Sequence, residues 1–207
     1  MDKPVLVNLP EFLDNRGALT YVEEGKHIPF KIDSVYKMPL ESSKITVPAD
    51  AFILVPGEKQ GYIVPPGYQF DMYGYGNEII ILSAAPVDEL EEKKLKTPFR
   101  IRRVYFITDI PQKQTRGSHA HRMTAQTIFA VKGAFSVTSD NGGKIKTEIL
   151  VPDSKPVNIE AGIWHTLDNF TPDAICMVLA SELYSDEDYI RDYDEFVDFR
   201  NMTMCND

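Results

Sequence analysis

The chain has 207 residues, of which 43% are hydrophobic and 26% charged, and its formal net charge is −9. This composition is typical of a globular protein with one large or two small domains, and the acidity argues against a protein that coats nucleic acid. Two cysteines, Cys176 and Cys205, give no disulfide framework. Residues 1–4 show no signal-peptide pattern, and no apolar run reaches the roughly 20 residues of a membrane span. We therefore expect a cytoplasmic protein with neither a nucleic-acid nor a membrane partner.

Short apolar segments of the first half recur in the second half. Four ordered matches pair 30–36 with 99–105, 53–56 with 149–152, 62–67 with 157–162, and 79–84 with 176–181. The offset between the copies rises from 69 to 96 after the first match, so the first copy is expected to lack the part that holds residues 116–133 in the second. These matches predict a duplicated unit. Phe70 stands where the second copy has His165, so the first copy is expected to pack rather than catalyse.

The local patterns are those of strands and turns. A charged linker, with a short helix in it, is expected at 87–97, and residues 140–143 read Asp-Asn-Gly-Gly, a hairpin turn. Strand-like runs occupy 126–131 and 134–138 on either side of Lys132-Gly133. The exception is 186–199, where apolar residues recur at helical spacing and Ser185 could cap a helix.

Three of the chain's four histidines belong to one constellation in the second half. His119 and His121 stand in the run Arg116-Gly-Ser-His-Ala-His-Arg122, Gln126 follows them, and His165 comes later. Alternate residues of a strand face the same side, so His119 and His121 are expected to project together. Because histidine titrates near neutrality, such a cluster indicates proton transfer or metal binding.

The spacing of these residues resembles the two signatures of the cupin superfamily. His119-x-His121-x4-Gln126-x6-Gly133 is similar to the first signature, and Gly162-x2-His165-x3-Asn169 is similar to the second. The resemblance implies an RmlC-like jelly roll, a double-stranded β-helix with its site in the mouth of the barrel. Together with the repeat, it predicts an all-β tandem bicupin with a short C-terminal helix. Residues 1–90 would form a degenerate cupin-like half, and residues 91–207 the cupin domain that carries the site.

A narrower resemblance covers residues 5–35 and 99–197. The run at 116–122, the strings at 162–170 and the stretch 188–196 are similar to the WxcM-like dTDP-sugar 3,4-ketoisomerases, and 14–20 resembles the opening of that family. Members are typically single cupin domains. The resemblance implies an isomerase of deoxysugar and polysaccharide biosynthesis. Its substrate would be dTDP-4-keto-6-deoxyglucose, and histidines would move the proton through an enediol.

The site residues follow from this resemblance. We expect His119, His121 and Tyr105 to be catalytic, with His121 as the base and His119 as the acid or orienting donor. Two close histidines are expected to differ in protonation, because proximity separates their pKa values. The predicted substrate-binding residues, with Arg116 on a phosphate and Trp164 lining the pocket, are Arg116, Arg103, Arg122, Gln126, Trp164 and His165.

Two other functions fit the same residues. His119, His121, Gln126 and His165 could form a four-ligand site for a divalent transition metal, as in a metal-dependent cupin enzyme. The alternative is a cupin that binds a sugar nucleotide without catalysis. The ketoisomerase prediction needs no cofactor, and its partner is a dTDP-sugar. A homodimer is favoured over a compact two-barrel monomer, because cupin edge strands are often covered between subunits.

Overall fold

The computed structural model describes residues 3–39, 44–71 and 78–204, so Cys205 lies outside the described part. Strands dominate these ranges, and a single twelve-residue α-helix lies near their C-terminal end. This confirms the predicted all-β class with a short C-terminal helix. None of the helices in these ranges has both the length and the apolar character needed to cross a lipid bilayer.

The described ranges contain eighteen strands, one α-helix and two short 3-10 helices. The strands are β1 (Val5–Asn8), β2 (Glu11–Asp14), β3 (Gly17–Glu23), β4 (Ser34–Pro39), β5 (Lys44–Thr46), β6 (Ala51–Leu54), β7 (Gln60–Val64), β8 (Gln69–Asp71), β9 (Glu78–Ser83), β10 (Arg103–Thr108), β11 (Arg116–His121), β12 (Gln126–Lys132), β13 (Phe135–Asp140), β14 (Ile145–Leu150), β15 (Val157–Ile159), β16 (Trp164–Asp168), β17 (Ile175–Ala180) and β18 (Tyr189–Ile190). The α-helix is α1 (Tyr193–Met204), and the 3-10 helices are Asp88–Lys93, within the predicted linker, and Asp186–Asp188.

These strands form three large sheets and one pair. Sheet A has the order β1-β7-β6-β9-β4, and sheet B has the order β15-β12-β17-β10-β3-β2. Sheet C has the order β14-β13-β16-β11-β18, and β5 pairs with β8. Sheets B and C enclose one apolar cluster that includes Ile128, Val137 and Val178. They form the predicted cupin jelly roll, which is confirmed.

Sheet B is buried on both of its faces. Val104 and Phe106 of β10 pack against sheet A in a cluster with Phe52 and Leu82, whereas Ile107 of the same strand faces sheet C. This explains why β17 reads as a continuous apolar run instead of an alternating one, since both faces of a central layer need apolar side chains. Three sheets are therefore stacked, and the site lies between the second and the third.

Strand order supports the predicted duplication and corrects its alignment. The order β4-β9-β6-β7 in sheet A has the same pattern as β10-β17-β12-β15 in sheet B, and β5-β8 corresponds to β11-β16. β6 therefore corresponds to β12. The predicted match between 53–56 and 149–152 is wrong, because residues 149–150 belong to β14 at the edge of sheet C. The counterpart missing from the first copy is the β13–β14 hairpin, and the duplication itself stays a prediction.

The first copy is apolar where the second has histidines. Ile45 of β5 faces Phe70 of β8 in the ladder, at the position that His119 and His165 occupy between β11 and β16. Ile45 is buried, and Phe70 packs against the same cluster.

The division predicted at residue 90 does not coincide with a division between sheets. β10 pairs with β3 along the whole length of β10, from Arg103 opposite Glu23 to Thr108 opposite Ala18. β2 continues the same sheet, whereas β1 pairs with β7 in sheet A. The first 23 residues thus contribute to both halves, and the two-domain boundary stays a prediction.

The helix predicted over 186–199 is only partly correct. Residues 186–188 form a 3-10 turn, Tyr189 and Ile190 pair with Ala120 and His121 of β11, and α1 begins only at Tyr193. The cap is Asp192, whose carboxylate accepts the Glu195 amide at 2.9 Å, and not Ser185. Pairing with β11 outweighs the helical pattern because it buries Ile190 fully.

Candidate active site

A cavity of about 550 Å³ opens between sheets B and C. Its walls take Tyr105 and Gln126 from sheet B and Arg116, His119 and His165 from sheet C. The segment after β17 closes one side with Tyr184, Tyr189 and Arg191, and β2 with β3 supplies the rim. A cavity of this size is typical of sites for small molecules with several polar groups.

A bulge in β11 directs His119 into this cavity. Gly117 and Ser118 both have positive φ, +76° and +55°, and the register with β16 shifts between Gly117 and His119. A β-bulge inserts one residue and re-aims the next side chain. As a result the His119 ring lies 4.8 Å from the His121 ring and 4.7 Å from the His165 ring, measured between centroids.

His119 presents a free nitrogen to the cavity. Its Nε2 is buried and has no hydrogen-bond partner among the described residues. Burial lowers the pKa of His119 well below its usual range, and the neighbouring His165 and His121 lower it further, while a hydrogen bond to the Gly117 backbone opposes this. A neutral imidazole held at Nδ1 by a carbonyl keeps its lone pair on Nε2. His119 is therefore equipped to accept a proton.

His121 is held on both ring nitrogens. Its Nδ1 lies 2.8 Å from the Asp188 carboxylate, and the Gln126 side-chain amide donates to its Nε2 at 2.8 Å. Burial lowers the pKa of His121, although the Asp188 carboxylate raises it. Because Nε2 accepts a hydrogen bond, the network assigns the proton to Nδ1. His121 is thus a neutral, fixed ring.

Asp188 is the anchor of this network. It accepts Met123 N–H at 2.6 Å and the Thr124 hydroxyl at 2.5 Å, in addition to His121. Burial raises the pKa of this carboxyl, but the three hydrogen bonds lower it far more, so that it stays below its usual range. The carboxylate therefore remains charged and oriented.

Two buried arginines give the cavity its positive charge. Arg116 is 8% exposed, and its Nε and Nη2 have no hydrogen bond among the described residues, although Asp14 lies 3.3 Å from Nη2. Arg103 is also buried, with an unpartnered Nε, and its guanidinium lies 5.3 Å from the ring of Tyr105. Buried guanidinium N–H groups without a hydrogen bond are costly unless an anion completes them. Their geometry suits a phosphate or an oxyanion.

The residues of this site lie in a region that matches a known protein family. The family model described as "FdtA: WxcM-like, C-terminal" matches residues 86–201, which include all three site histidines. The chain belongs to this WxcM-like family.

Two relatives indicate the reaction class. A TDP-4-oxo-6-deoxy-alpha-D-glucose-3,4-oxoisomerase from Aneurinibacillus thermoaerophilus is 40% identical over 119 residues, which are 56% of this chain and 84% of that protein. The structure of WlaRA, a TDP-fucose-3,4-ketoisomerase from Campylobacter jejuni, is 30% identical with a TM-score of 0.51, covering 58% of this chain and 85% of that one. The prediction of an isomerase in the WxcM-like family is confirmed, and these relatives support the 3,4-ketoisomerase class.

Seven of the nine residues predicted for this family site meet at the cavity or directly behind it. Tyr105, Arg103, Arg116, Gln126, His119 and His165 line it, and His121 lies behind His119. Burial raises the pKa of Tyr105, so its hydroxyl stays protonated and able to donate. Burial lowers the pKa of His165 to about 3, which keeps that ring neutral. The predicted pair of one neutral and one charged histidine is therefore wrong, because burial dominates in every ring.

Two predicted binding residues lie elsewhere. Trp164 packs against Tyr193 and Phe196 on the outer face of sheet C, and Arg122 pairs with Glu195 and lies over the ring of Phe199. Each directly neighbours an inward-facing histidine, and successive residues of a strand point to opposite faces. The predictions that Trp164 and Arg122 bind substrate are therefore corrected.

The sequence reasoning missed the residues that follow β17. Asp188 and Tyr189 lie in a stretch whose apolar spacing predicts a helix, although the same stretch resembles the family. The Tyr189 ring lies 4.3 Å from the His121 ring and 4.9 Å from the His119 ring. The signal was present in the sequence as the resemblance at 188–196, but only the pairing of β18 with β11 brings it to the site.

Proposed function

We propose that this protein is a 3,4-ketoisomerase of dTDP-4-keto-6-deoxyglucose that uses histidine-mediated proton transfer through an enediol. The observation that carries the proposal is the unpartnered, buried Nε2 of His119 facing a cavity that is also lined by Arg116, whose Nε and Nη2 have no hydrogen bond among the described residues. A base and an anion-binding group in one cavity of this size suit a sugar nucleotide. Both relatives named above act on TDP-sugars, which supports the substrate class.

In the proposed reaction, His119 is the base and His121 supports it. The Nε2 of His119 takes the proton from C3 of the sugar, which the C4 carbonyl acidifies. The electron pair of the broken C3–H bond forms a C3–C4 double bond, and the C4 oxygen becomes an oxyanion that takes the proton of the adjacent C3 hydroxyl within the enediol intermediate. The electron pair of the C3 oxygen then forms the C3 carbonyl, and C4 receives a proton from His119, whose N–H exchanges with solvent before this transfer. Atoms and charge balance without a co-reactant.

Tyr105 and Arg103 suit the oxygens of this intermediate. The Tyr105 hydroxyl stays protonated because burial raises its pKa, so it can donate to a developing oxyanion. Arg103 lies next to it and adds fixed positive charge beside the developing oxyanion. His119 starts neutral and returns to neutral, so a single ring serves as base and then as acid. This assigns the roles in the opposite order to the sequence prediction.

The experiment is proton NMR of the protein incubated with dTDP-4-keto-6-deoxyglucose in D2O, with a His119→Asn variant as control. We expect conversion to the 3-keto sugar with deuterium at C4 for the wild-type chain, and loss of both conversion and exchange in the variant. Binding of dTDP to the variant, measured by calorimetry, shows that its cavity is intact. Binding of dTDP by the wild-type chain with no conversion would favour the sugar-nucleotide-binding module and overturn the proposal.

A metal-dependent enzyme is the competing candidate. The ligand atoms of His119, His121 and His165 lie within 4.8 Å of one another, which brings three imidazoles to one place. Both ring nitrogens of His121 already have partners, so His121 could bind an ion only after the Gln126 amide has left its Nε2. The donor set therefore fits an ion only after rearrangement. Elemental analysis that finds one tightly bound metal per chain would favour this candidate.

A further inference from the structure

The segment after β17, which closes one side of the cavity, is anchored to a strand near the beginning of the chain. Tyr184 N–H donates to the Glu23 carboxylate at 2.6 Å, across 161 positions of sequence. Glu23 is the last residue of β3, and it is 1% exposed. A hydrogen bond from a backbone amide to an ionised carboxylate is among the stronger polar contacts in proteins. The position of Tyr184 therefore depends on β3.

The Glu23 carboxylate has a partner for each of its oxygens. Its Oε1 accepts Tyr184 N–H, and its Oε2 accepts the Lys26 ammonium at 2.8 Å from the loop that follows β3. Burial raises the pKa of Glu23, but these two hydrogen bonds lower it further, so that it stays below its usual range. The carboxylate that holds the Tyr184 amide is therefore charged at neutral pH.

Glu23 lies on the cavity side of sheet B but does not line the cavity. Alternate residues of a strand share a face, and Leu19 and Tyr21 of the same strand are both lining residues. In the ladder Glu23 lies directly opposite Arg103, whose positive charge attracts it. Its neighbours Arg103 and Tyr184 do line the cavity. Glu23 can therefore influence the reaction only through them.

Tyr184 connects this anchor to groups that suit the intermediate. Its ring lies 5.7 Å from the Arg103 guanidinium and 5.6 Å from the Tyr189 ring, measured to the ring centroids. The Arg103 guanidinium also lies 5.3 Å from the Tyr105 ring. Contacts of this kind between a guanidinium and aromatic rings are attractive at such distances. Displacement of Tyr184 would remove one of the two rings that hold Arg103.

We infer, on the basis of the proposed function, that Glu23 is a positioning residue of the active site, which acts through the Tyr184 amide to keep Arg103 in place. The contribution of Glu23 is expected when charge develops on the sugar oxygens, because Arg103 then meets an oxyanion. The loss of an interaction made only in the transition state lowers kcat and leaves KM nearly unchanged. Glu23 should therefore affect turnover more than substrate binding.

Steady-state kinetics with dTDP-4-keto-6-deoxyglucose test this role in the full chain. Glu23→Ala should lower kcat by about 30-fold and change KM by less than about 2-fold, since small displacements near the reacting atoms can cost up to about 100-fold. Glu23→Gln should stay within about 3-fold of the wild-type kcat, because its amide oxygen can still accept Tyr184 N–H. If Glu23→Ala does not fold, Glu23→Asp takes its place, since its carboxylate ends one methylene short of the amide.

Hydrogen exchange tests the anchor without substrate. The peptide that contains Tyr184, followed by mass spectrometry, should exchange about 10-fold faster in Glu23→Ala than in the wild-type chain, because its amide loses its acceptor. The same peptide should exchange at nearly the wild-type rate in Glu23→Gln. This measurement reports on the segment itself and does not depend on isomerase activity.

Glu24→Ala is the matched control, because Glu24 is the next residue and is also a buried, ion-paired carboxylate. It accepts from Arg100 and Arg102, neither of which lines the cavity. Both alanine variants should lower the free energy of unfolding, but only Glu23→Ala should lower kcat and speed exchange at Tyr184. Binding of dTDP, measured by calorimetry, shows that the cavity is intact in each variant.

Equal losses of kcat in the two alanine variants would make Glu23 a structural residue and overturn the inference. So would unchanged exchange at Tyr184 in Glu23→Ala, or a Glu23→Gln variant as inactive as Glu23→Ala. A wild-type chain that never converts the substrate overturns the proposed function instead. The exchange experiment then decides alone whether Glu23 anchors the segment.

Discussion

The three site histidines show how burial sets the chemistry of a residue. Burial is the largest cause of the lowered pKa in His119, His121 and His165, and it exceeds even the attraction of Asp188 for a proton on His121. All three rings are therefore neutral at neutral pH. The direction of each hydrogen bond then decides which nitrogen carries the lone pair. These rings are uncharged before the reaction, so a ring that takes a proton from the substrate becomes positively charged only at that step.

The same burial predicts how stability depends on pH. The unfolded chain protonates His165 near its usual pKa of 6.5, whereas the folded chain does so only near 3. Between these values the unfolded state binds more protons, so the free energy of unfolding falls as pH falls below about 6.5, by up to about 1.4 kcal/mol per pH unit for each such histidine. Urea unfolding at about pH 7 and about pH 5.5 should show this loss, and a smaller one in His165→Asn. An unchanged slope in the variant would contradict the assignment.

Asp188→Asn tests the anchor behind His121. An amide cannot accept from all three donors as a carboxylate does, so His121 loses its fixed orientation. We expect kcat to fall by about 10-fold or more while KM changes little, and the free energy of unfolding to fall by about 1.5–3 kcal/mol. Glu187→Gln is the matched control, because this exposed neighbour bonds only to Ser185 and its own backbone among the described residues. Equal effects of the two substitutions would refute the role of Asp188.

Among the elements, the bulge of β11 determines where His119 points. Without the two positive-φ residues at 117 and 118, the strand would continue its regular alternation and the ring would leave the junction with His121 and His165. A Cβ on Gly117 would lie 2.8 Å from the His165 carbonyl oxygen, so only glycine permits this approach of β11 and β16. The bulge therefore depends on the close approach of β16 as well as on the residues of β11.

A comparison of Gly117→Ala with Gly67→Ala separates the cost of a side chain on a left-handed backbone from the cost of its steric contact with β16. The two glycines have nearly equal φ, +76° and +74°, but a Cβ on Gly67 would meet nothing within 4 Å. Gly67→Ala should cost about 1–2 kcal/mol from its left-handed backbone alone and leave activity unchanged. Gly117→Ala should cost about 2–4 kcal/mol and reduce turnover, since β16 must move. Equal losses in unfolding and activity assays would contradict this account.

The sequence predicts an element best where one local rule decides it. Alternation places His119 and His121 on the same side, and the Asp140–Gly143 turn is where it was expected, because these features depend on neighbouring residues. Residues 186–192 show the limit. Their apolar spacing suits a helix, but Ile190 is buried by β11, about 70 positions earlier in the chain. The substrate-binding predictions for Trp164 and Arg122 are wrong for a simpler reason. Each residue directly neighbours a histidine that points inward, and alternation along the strand places its own side chain on the opposite face.

For the whole molecule, the shared sheet B makes one cooperative unit of the two halves. Phe52, which belongs to β6 of the first half, is fully buried in the cluster that also holds Val104 and Met177 of the second. Loss of apolar contacts in such a layer exposes both sheets to water. We therefore expect the two halves to unfold together.

Phe52→Ala checks this coupling far from the site. The change should lower the free energy of unfolding by about 3–5 kcal/mol. Trp164 is the only tryptophan of the chain and lies beside α1, so its fluorescence reports on the second half. Urea unfolding curves from fluorescence and from far-ultraviolet circular dichroism should coincide and shift together. A variant whose fluorescence transition stays at the wild-type midpoint would show independent halves.

The pairing of β3 with β10 affects the order in which the chain can fold while the ribosome is still synthesising it. Residues 17–23 emerge early and can pair at once with β2, yet their other neighbour in sheet B, β10, starts at residue 103, and β17 completes the layer only near residue 180. All partners of sheet A, in contrast, have emerged by residue 83. The nascent chain can therefore assemble sheet A while the β2–β3 hairpin waits for β10. The β2–β3 hairpin is thus among the first parts of the chain to be synthesised and among the last to reach its place.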